Sequence, residues 1–155
     1  MNDDELAYLA ITRLQRAYAD ASTRKAWPEF AALITPDAQF SFDTRTGNVF
    51  EMVGADAFVE FGAKMTGRFS FYEYVPLNFV VEIDPDGSAR GRSYMFEIGE
   101  DRETGEVSTF FGMYHDDYAR VDGTWRFSRR QFFSLARRSG DDALQSFPLI
   151  DRPFN

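Results

Sequence analysis

"GMYHDDYARVDGTWRF", residues 112–127, is the stretch on which the fold turns. Asp122-Gly123 is the dipeptide favoured at the centre of a type I′ hairpin, because both central residues need positive φ. With those two at the tip, Tyr118 faces Phe127, Arg120 faces Trp125, Asp116 faces Arg129 and His115 faces Arg130. Alternation gives one face to Gly112, Tyr114, Asp116, Tyr118, Trp125, Phe127 and Arg129, and the other to Met113, His115, Asp117, Ala119, Arg126, Ser128 and Arg130. The first face is the more aromatic and should look inward. Asp116 then becomes a partly buried carboxylate with a cross-strand guanidinium partner. It is open whether that pair only holds register or also supplies an acid to a site. His115 falls on the opposite face among charges, as a surface or dimer-interface histidine.

Working outward, three more strand-like runs precede this hairpin's second arm at 124–137. They are 69–83, 88–99 and the first arm itself, 107–121, separated by the turn signals "DPDG" (84–87) and "EDRETGE" (100–106). Pro76 inside the first run requires an edge position or a bulge. Upstream the period changes. Ala7, Ile11, Leu14, Tyr18 and Ala21 form the buried stripe of a helix over 3–21, with Asp3, Asp4 and Glu5 at its positive end. Pro28 suits the first turn of a short helix, "PEFAALI". "AQFSFD" (38–43) alternates as a strand, and "TRTGN" (44–48) reads as a loop. Residues 55–66 form a further helix closed by Gly67 at C′. Helices followed by consecutive antiparallel strands give an α+β fold, a curved sheet wrapped around N-terminal helices into a cone with an open end. The domain should occupy residues 1–138, and the tail 139–155 packs as a loop or crosses to a second subunit.

The composition narrows the function. The chain has 155 residues, enough for one domain, and a net charge of −8, which opposes nucleic acid and anionic membrane surfaces. The alternating arginines of "RFSRRQFFSLARR" (126–138) fall on both faces and do not change that. No cysteine and one histidine leave no credible metal site, and no phosphate-binding glycine loop is present. The acidic start "MNDDELAYLA" lacks the features of an export signal, and no run approaches a membrane span, so a cytoplasmic location is expected. Seventeen Phe, seven Tyr and two Trp suit a pocket lined by rings.

"YADASTRKAWPEFAALITPDAQFSFD" (18–43), together with Tyr114, Asp116, Tyr118 and "VDGTWRFSRR" (121–130), resembles the SnoaL-like branch of the nuclear transport factor 2-like superfamily. The resemblance spans roughly residues 5–135. It implies the cystatin-like cone fold, and a superfamily whose functions run from dehydratases, isomerases and polyketide cyclases to dioxygenase small subunits and non-catalytic binders. Scytalone dehydratase and the bile-acid 7α-dehydratase, which resemble this chain most in function, use a Tyr, an Asp and His inside the cone. Matched to them, Tyr18 stands where the bile-acid enzyme has its helix tyrosine, and Glu97 where it has a strand acid. The bile-acid enzyme's aspartate falls at Thr23, the scytalone enzyme's Tyr-Asp pair at Ser22 and Thr23, and a strand histidine near Tyr74. The histidine–aspartate chemistry is therefore largely missing.

What remains is Glu97, Tyr18, Tyr74 and Asp116 as catalytic candidates, with Tyr114, Asn78, Phe127 and Trp27 as substrate contacts. Glu97 shares its strand face with Ala89, Gly91, Ser93 and Met95, which leave room for a ligand. A carboxylate there should have a raised pKa and act as general acid or base. Phenols can donate to a carbonyl that becomes an enolate. Two alternatives stay open: Tyr18 as filler of the helix stripe, and Glu97 in water at the rim. The expected function is a cofactor-free lyase or isomerase acting on a small hydrophobic cyclic molecule such as a polyketide, steroid or aromatic compound. The other reading is a non-catalytic ligand binder or a dioxygenase small subunit. A homodimer is expected, because Phe111, Met113, Phe132, Tyr94 and Phe96 would make the outer sheet face too apolar for water.

Overall fold

The structure is a computed structural model, and residues 1–150 are described. Helix α1 (Asp3–Arg24) starts at a capping box: Asn2 Oδ1 accepts from the Glu5 amide at 2.9 Å, and the Asn2 amide donates to Glu5 Oε2 at 2.8 Å. A 3₁₀ turn (Trp27–Ala32), with Pro28 in its first turn as the sequence suggests, leads into β1 (Ile34–Asp43). Strand β2 (Val49–Val53), which carries no alternation in burial and was not legible as a strand, pairs with β1. Then come α2 (Ala55–Thr66), β3 (Phe69–Ile83), β4 (Ala89–Asp101), β5 (Val107–Val121), β6 (Thr124–Ser139) and the two-residue β7 (Gln145–Ser146). The sheet order is β2-β1-β6-β5-β4-β3, antiparallel except for the β1–β6 pair, with β7 alongside β6. This is the expected α+β cone. Among the described residues no helix is long and apolar enough to cross a membrane.

Strand β3 is an edge, and its register slips between Pro76 and Phe79, as a proline without an N–H donor requires. Gly67 ends α2 in right-handed geometry (φ −63°), not in the left-handed C′ conformation expected of it. The tail joins the sheet through β7, and the Phe147 amide donates to the Leu135 carbonyl at 2.8 Å. The last five residues of the tail segment lie outside the described residues.

The β5–β6 hairpin has its expected tip: Asp122 and Gly123 sit at φ 51° and 78°, and Tyr118 pairs with Phe127. Two residues further the expected register fails. Asp117 pairs with Arg129, so Ser128 is an extra, bulged residue on β6, and Asp116 faces Arg130 rather than Arg129. Leu135 is a second bulge, between the Gly112–Ser134 and Phe111–Ala136 pairs. The first bulge turns Arg130, Phe132 and Ser134 to the concave side, and the second restores the original alternation, so that Arg137 is concave opposite Phe110. Phe132 therefore leaves the outer apolar face on which strict alternation places it, and Met113 is buried as well. His115 lies on the convex side but is buried, edge-on to Phe133 at 5.4 Å, and is not a surface histidine.

Arg130 and Asp116 are both fully buried. Arg130 Nε donates to Asp116 Oδ1 at 2.8 Å and Nη2 to Oδ2 at 3.2 Å. Gln15 of α1 donates to Asp116 Oδ2 at 3.0 Å and to the Tyr118 hydroxyl at 2.7 Å, while Ser93 donates to Asp116 Oδ2 at 3.1 Å. The carboxylate thus gathers donors from α1, β4, β5 and β6. Removing one partner strands the other charge in a dry core, a cost of about 3–5 kcal/mol. Asp116→Asn should lower the urea stability by at least ~2 kcal/mol, and the paired change Asp116→Leu/Arg130→Met should regain most of it. A loss below ~0.5 kcal/mol for the single variant would show that the pair does not organise the core.

Candidate active site

The cone encloses a cavity of about 270 Å³. Tyr18 and Ser22 of α1 line it together with Tyr72 and Tyr74 of β3, and Trp27, Phe42, Phe58 and Phe61 add further rings. Glu97 of β4, Phe110 and Tyr114 of β5, and Phe132, Ser134 and Arg137 of β6 line the sheet side. Arg68, Thr44, Phe50 and Met65 complete the lining. The rings leave the hollow open rather than plugging it. Part of the reason is that glycines take up their bulk: a Cβ on Gly112 would lie 2.0 Å from the Phe132 ring, and one on Gly99 2.6 Å from the Phe69 ring.

Glu97 is the single carboxylate on this lining. It pairs across the sheet with Tyr74 on one side and Phe110 on the other, which fixes it on the concave face. Burial among rings pushes its pKa up to about 7, opposed by a hydrogen bond from the Tyr72 phenol. Burial raises the pKa of Tyr18 and of Tyr74, and raises those of Tyr72 and Tyr114 well above the usual phenol value. All four therefore remain O–H donors near neutrality. The Tyr18 and Tyr74 rings meet edge-on at 5.6 Å. Behind them the Arg130 guanidinium lies 4.2 Å from the Tyr18 ring centre and 3.9 Å from that of Tyr114.

The cavity brings together Glu97, Tyr18, Tyr74, Tyr114 and Trp27 from among the sequence-derived candidates. The other three lie elsewhere. Asp116 is beneath the floor, its oxygens occupied by the donors described above. Phe127 is fully buried under Tyr18, with ring centres 5.5 Å apart. Asn78 is exposed, in the slipped segment of β3 between Pro76 and Phe79. Thr23, at the position of the missing aspartate, clamps the backbone of Tyr74: its hydroxyl accepts from the Tyr74 amide at 2.9 Å. Sequence reasoning missed Tyr72, which alternation could have found two residues from Tyr74 on the same strand face. It also missed Phe132, which only the Ser128 bulge brings inside, and Arg137, which strict alternation already places on the concave face. Among the described residues no group of three His, Cys, Asp or Glu could hold a metal ion.

A carboxyl whose folded-state pKa lies above its ordinary value of 4.5 holds its proton more tightly in the native chain. Its contribution to stability is therefore full below about pH 4.5 and is lost as pH rises through about 7. Glu97→Gln should match the parent in thermal stability near pH 4.5 and exceed it at pH 8.5. The gap is at most ~3 kcal/mol and is reduced by whatever water the cavity admits. A gap that does not grow with pH would refute the buried placement of this carboxyl.

Comparison with known proteins follows the same lines. A scytalone dehydratase-like protein from Novosphingobium aromaticivorans superimposes with a TM-score of 0.78 at 24% identity, over 99% of either chain. The hexachlorocyclohexane dehydrochlorinase LinA-type3 from Novosphingobium barchaimii gives 0.77 at 16% identity, over 94% of this chain and 98% of that one. ActVI-ORFA from Streptomyces coelicolor gives 0.68 at 14%, over 83% and 96%. At these identities the likeness is one of fold. No curated protein sequence matches the chain. The SnoaL-like domain family, however, matches residues 4–131, and the chain belongs to that family.

Proposed function

We propose that the protein is a cofactor-free lyase or isomerase that moves a proton next to a carbonyl in a small hydrophobic cyclic molecule. The observation that carries this reading is Glu97. It is the one carboxylate on the lining of a roughly 270 Å³ aromatic cavity, next to the Tyr72 phenol, and burial pushes its pKa up to about 7. As a carboxylate it takes a proton from the carbon beside the carbonyl. The C–H electrons pass to the carbonyl oxygen, and a phenol of the Tyr18, Tyr74 and Tyr114 group donates a hydrogen bond to the enolate so formed. Returned at another carbon, the proton gives an isomer. Delivered to a β-hydroxyl as the enolate collapses, it releases water. Elimination is also the chemistry named for a dehydratase-like protein and a dehydrochlorinase of the same fold. Asp116, saturated by Arg130, Gln15 and Ser93, holds the floor in this scheme, and Trp27 and Tyr114 contact the ring system of the substrate.

A chain that only binds would hold a ligand in the same cavity without exchanging its protons. The probe is 2-tetralone, an aromatic cyclic ketone, incubated in D₂O and followed by NMR. The protein should accelerate deuterium uptake beside the carbonyl, with a rate that rises with pH to a plateau and has its midpoint near 7. Glu97→Gln should lower it by ~100-fold or more. An equal rate for the variant, or binding without exchange at any pH, would overturn the catalytic reading in favour of a binder.

We also propose a homodimer that covers the convex face around Tyr94, Phe96 and Phe111, where the Phe96 and Phe111 rings meet at a tilt with centres 5.0 Å apart and Phe111 is 38% exposed. Light scattering at micromolar concentration should give twice the monomer mass, and Phe111→Lys should return the monomer.

A further inference from the structure

The cavity carries charge at its rim that the proton-transfer scheme leaves without a role. Arg137 and Arg68 are its two cationic lining residues, in a chain whose net charge is −8. Among the described residues neither forms an ion pair, although four other arginines do. Arg137 is half-buried and held in place. Its Nε donates to Gln145 Oε1 at 3.0 Å, and its guanidinium lies 5.9 Å from the Phe147 ring centre, so the strand β7 segment fixes it from behind. This leaves the Nη pair of the fork without a carboxylate. Arg68 follows α2, with its guanidinium 4.6 Å from the centre of the Phe69 ring, itself a lining residue. Asp101 feels the Arg68 charge, but its Oδ1 accepts the Glu103 and Thr104 amides at 2.9 and 3.0 Å.

The register gives the separation. Glu97 pairs with Phe110, and Phe110 with Arg137, so the acid and the arginine stand two strands apart on one concave face. Their Cα atoms are therefore about 10 Å apart, with the Phe110 ring between them. A flat body of one or two rings spans that distance. From this geometry we infer that the ligand is amphipathic: a ring system carrying a carboxylate or similar anion, paired with Arg137 and assisted by Arg68, while its opposite end reaches Glu97. A planar fork suits bidentate capture of a carboxylate. The inference names the substrate class for the site proposed above and rests on that site being the binding cavity, but not on Glu97 being a catalyst.

The test uses two probes of one shape, 2-naphthoate and 2-naphthamide, titrated calorimetrically at pH 6, where Glu97 is mostly protonated and naphthoate is an anion. The naphthoate should bind at least tenfold more tightly, and the difference should shrink with added salt. Arg137→Gln should bring the two affinities within about twofold, and Arg68→Gln should narrow the gap in part. Arg129→Gln, on the convex face, should leave it unchanged. Equal affinities in the parent chain, no binding of either probe, or an unaltered preference in Arg137→Gln would each overturn the inference. The tetralone exchange reads Glu97 alone and the naphthoate preference reads the arginines alone, so either result can fail without the other.

Discussion

A guanidinium shut away from water is tolerated only when a carboxylate neutralises it, and Arg130 is held in this way by Asp116. Its two-point contact with Asp116 sits where α1 crosses the sheet, and Gln15 and Ser93 add donors to the same carboxylate. Rings close over the cation: Tyr18, Tyr114 and Phe127 all have their centres within about 4.2 Å of it. The pair therefore sets the height of α1 above β5 and β6. Through Tyr18 and Tyr114 it also sets the floor of the cavity. Asp116 is essential to that arrangement because it is unavailable for anything else.

Two extra residues on β6 give the cavity its present lining. An unbulged β6 keeps Arg129, Gln131 and Phe133 on the concave side, a wall of different charge and shape. With Ser128 bulged, the concave positions become Arg130, Phe132 and Ser134, and the Leu135 bulge returns the alternation so that Arg137 stays concave, opposite Phe110. Gly112 completes the change, since only a residue without Cβ leaves room for the Phe132 ring. A β-bulge bends and twists its strand, so the same two residues that select the lining also help to curl the sheet around it.

The chemistry of the hollow follows from scarcity. One carboxylate among rings, with little solvation and one phenol donor, keeps its proton up to about pH 7. Four phenols that burial keeps protonated stand with it on the lining. At the two positions where the resemblance to dehydratases implies histidine and aspartate stand Tyr74 and Thr23, and the Thr23 hydroxyl accepts from the Tyr74 amide. The site thus offers one proton carrier and several donors, a smaller set than a relay of acid and base.

Much of this was legible in the residues. The helix stripe ending in Tyr18, the Asp-Gly tip, Pro76 on an edge strand and the α+β order all follow from local periodicity and turn chemistry, which act within a few residues. Alternation also placed Glu97 inside, because β4 runs without a bulge from Ala89 to its pairing with Phe110. The limits of legibility are physical as well. A bulge costs one ladder position and is stabilised by contacts far away in sequence, so nothing in "RFSRRQFF" reveals that Arg130 and not Arg129 is the buried partner. His115 is buried by Phe133, and Asn78 is carried outward by the slip in β3, for the same reason. The sequence by itself determined the helices, the long strands and their order, and the face of β4 that carries Glu97. Only tertiary packing decided which arginine is sealed in the core, because one inserted residue reverses the facing of every side chain up to the next bulge.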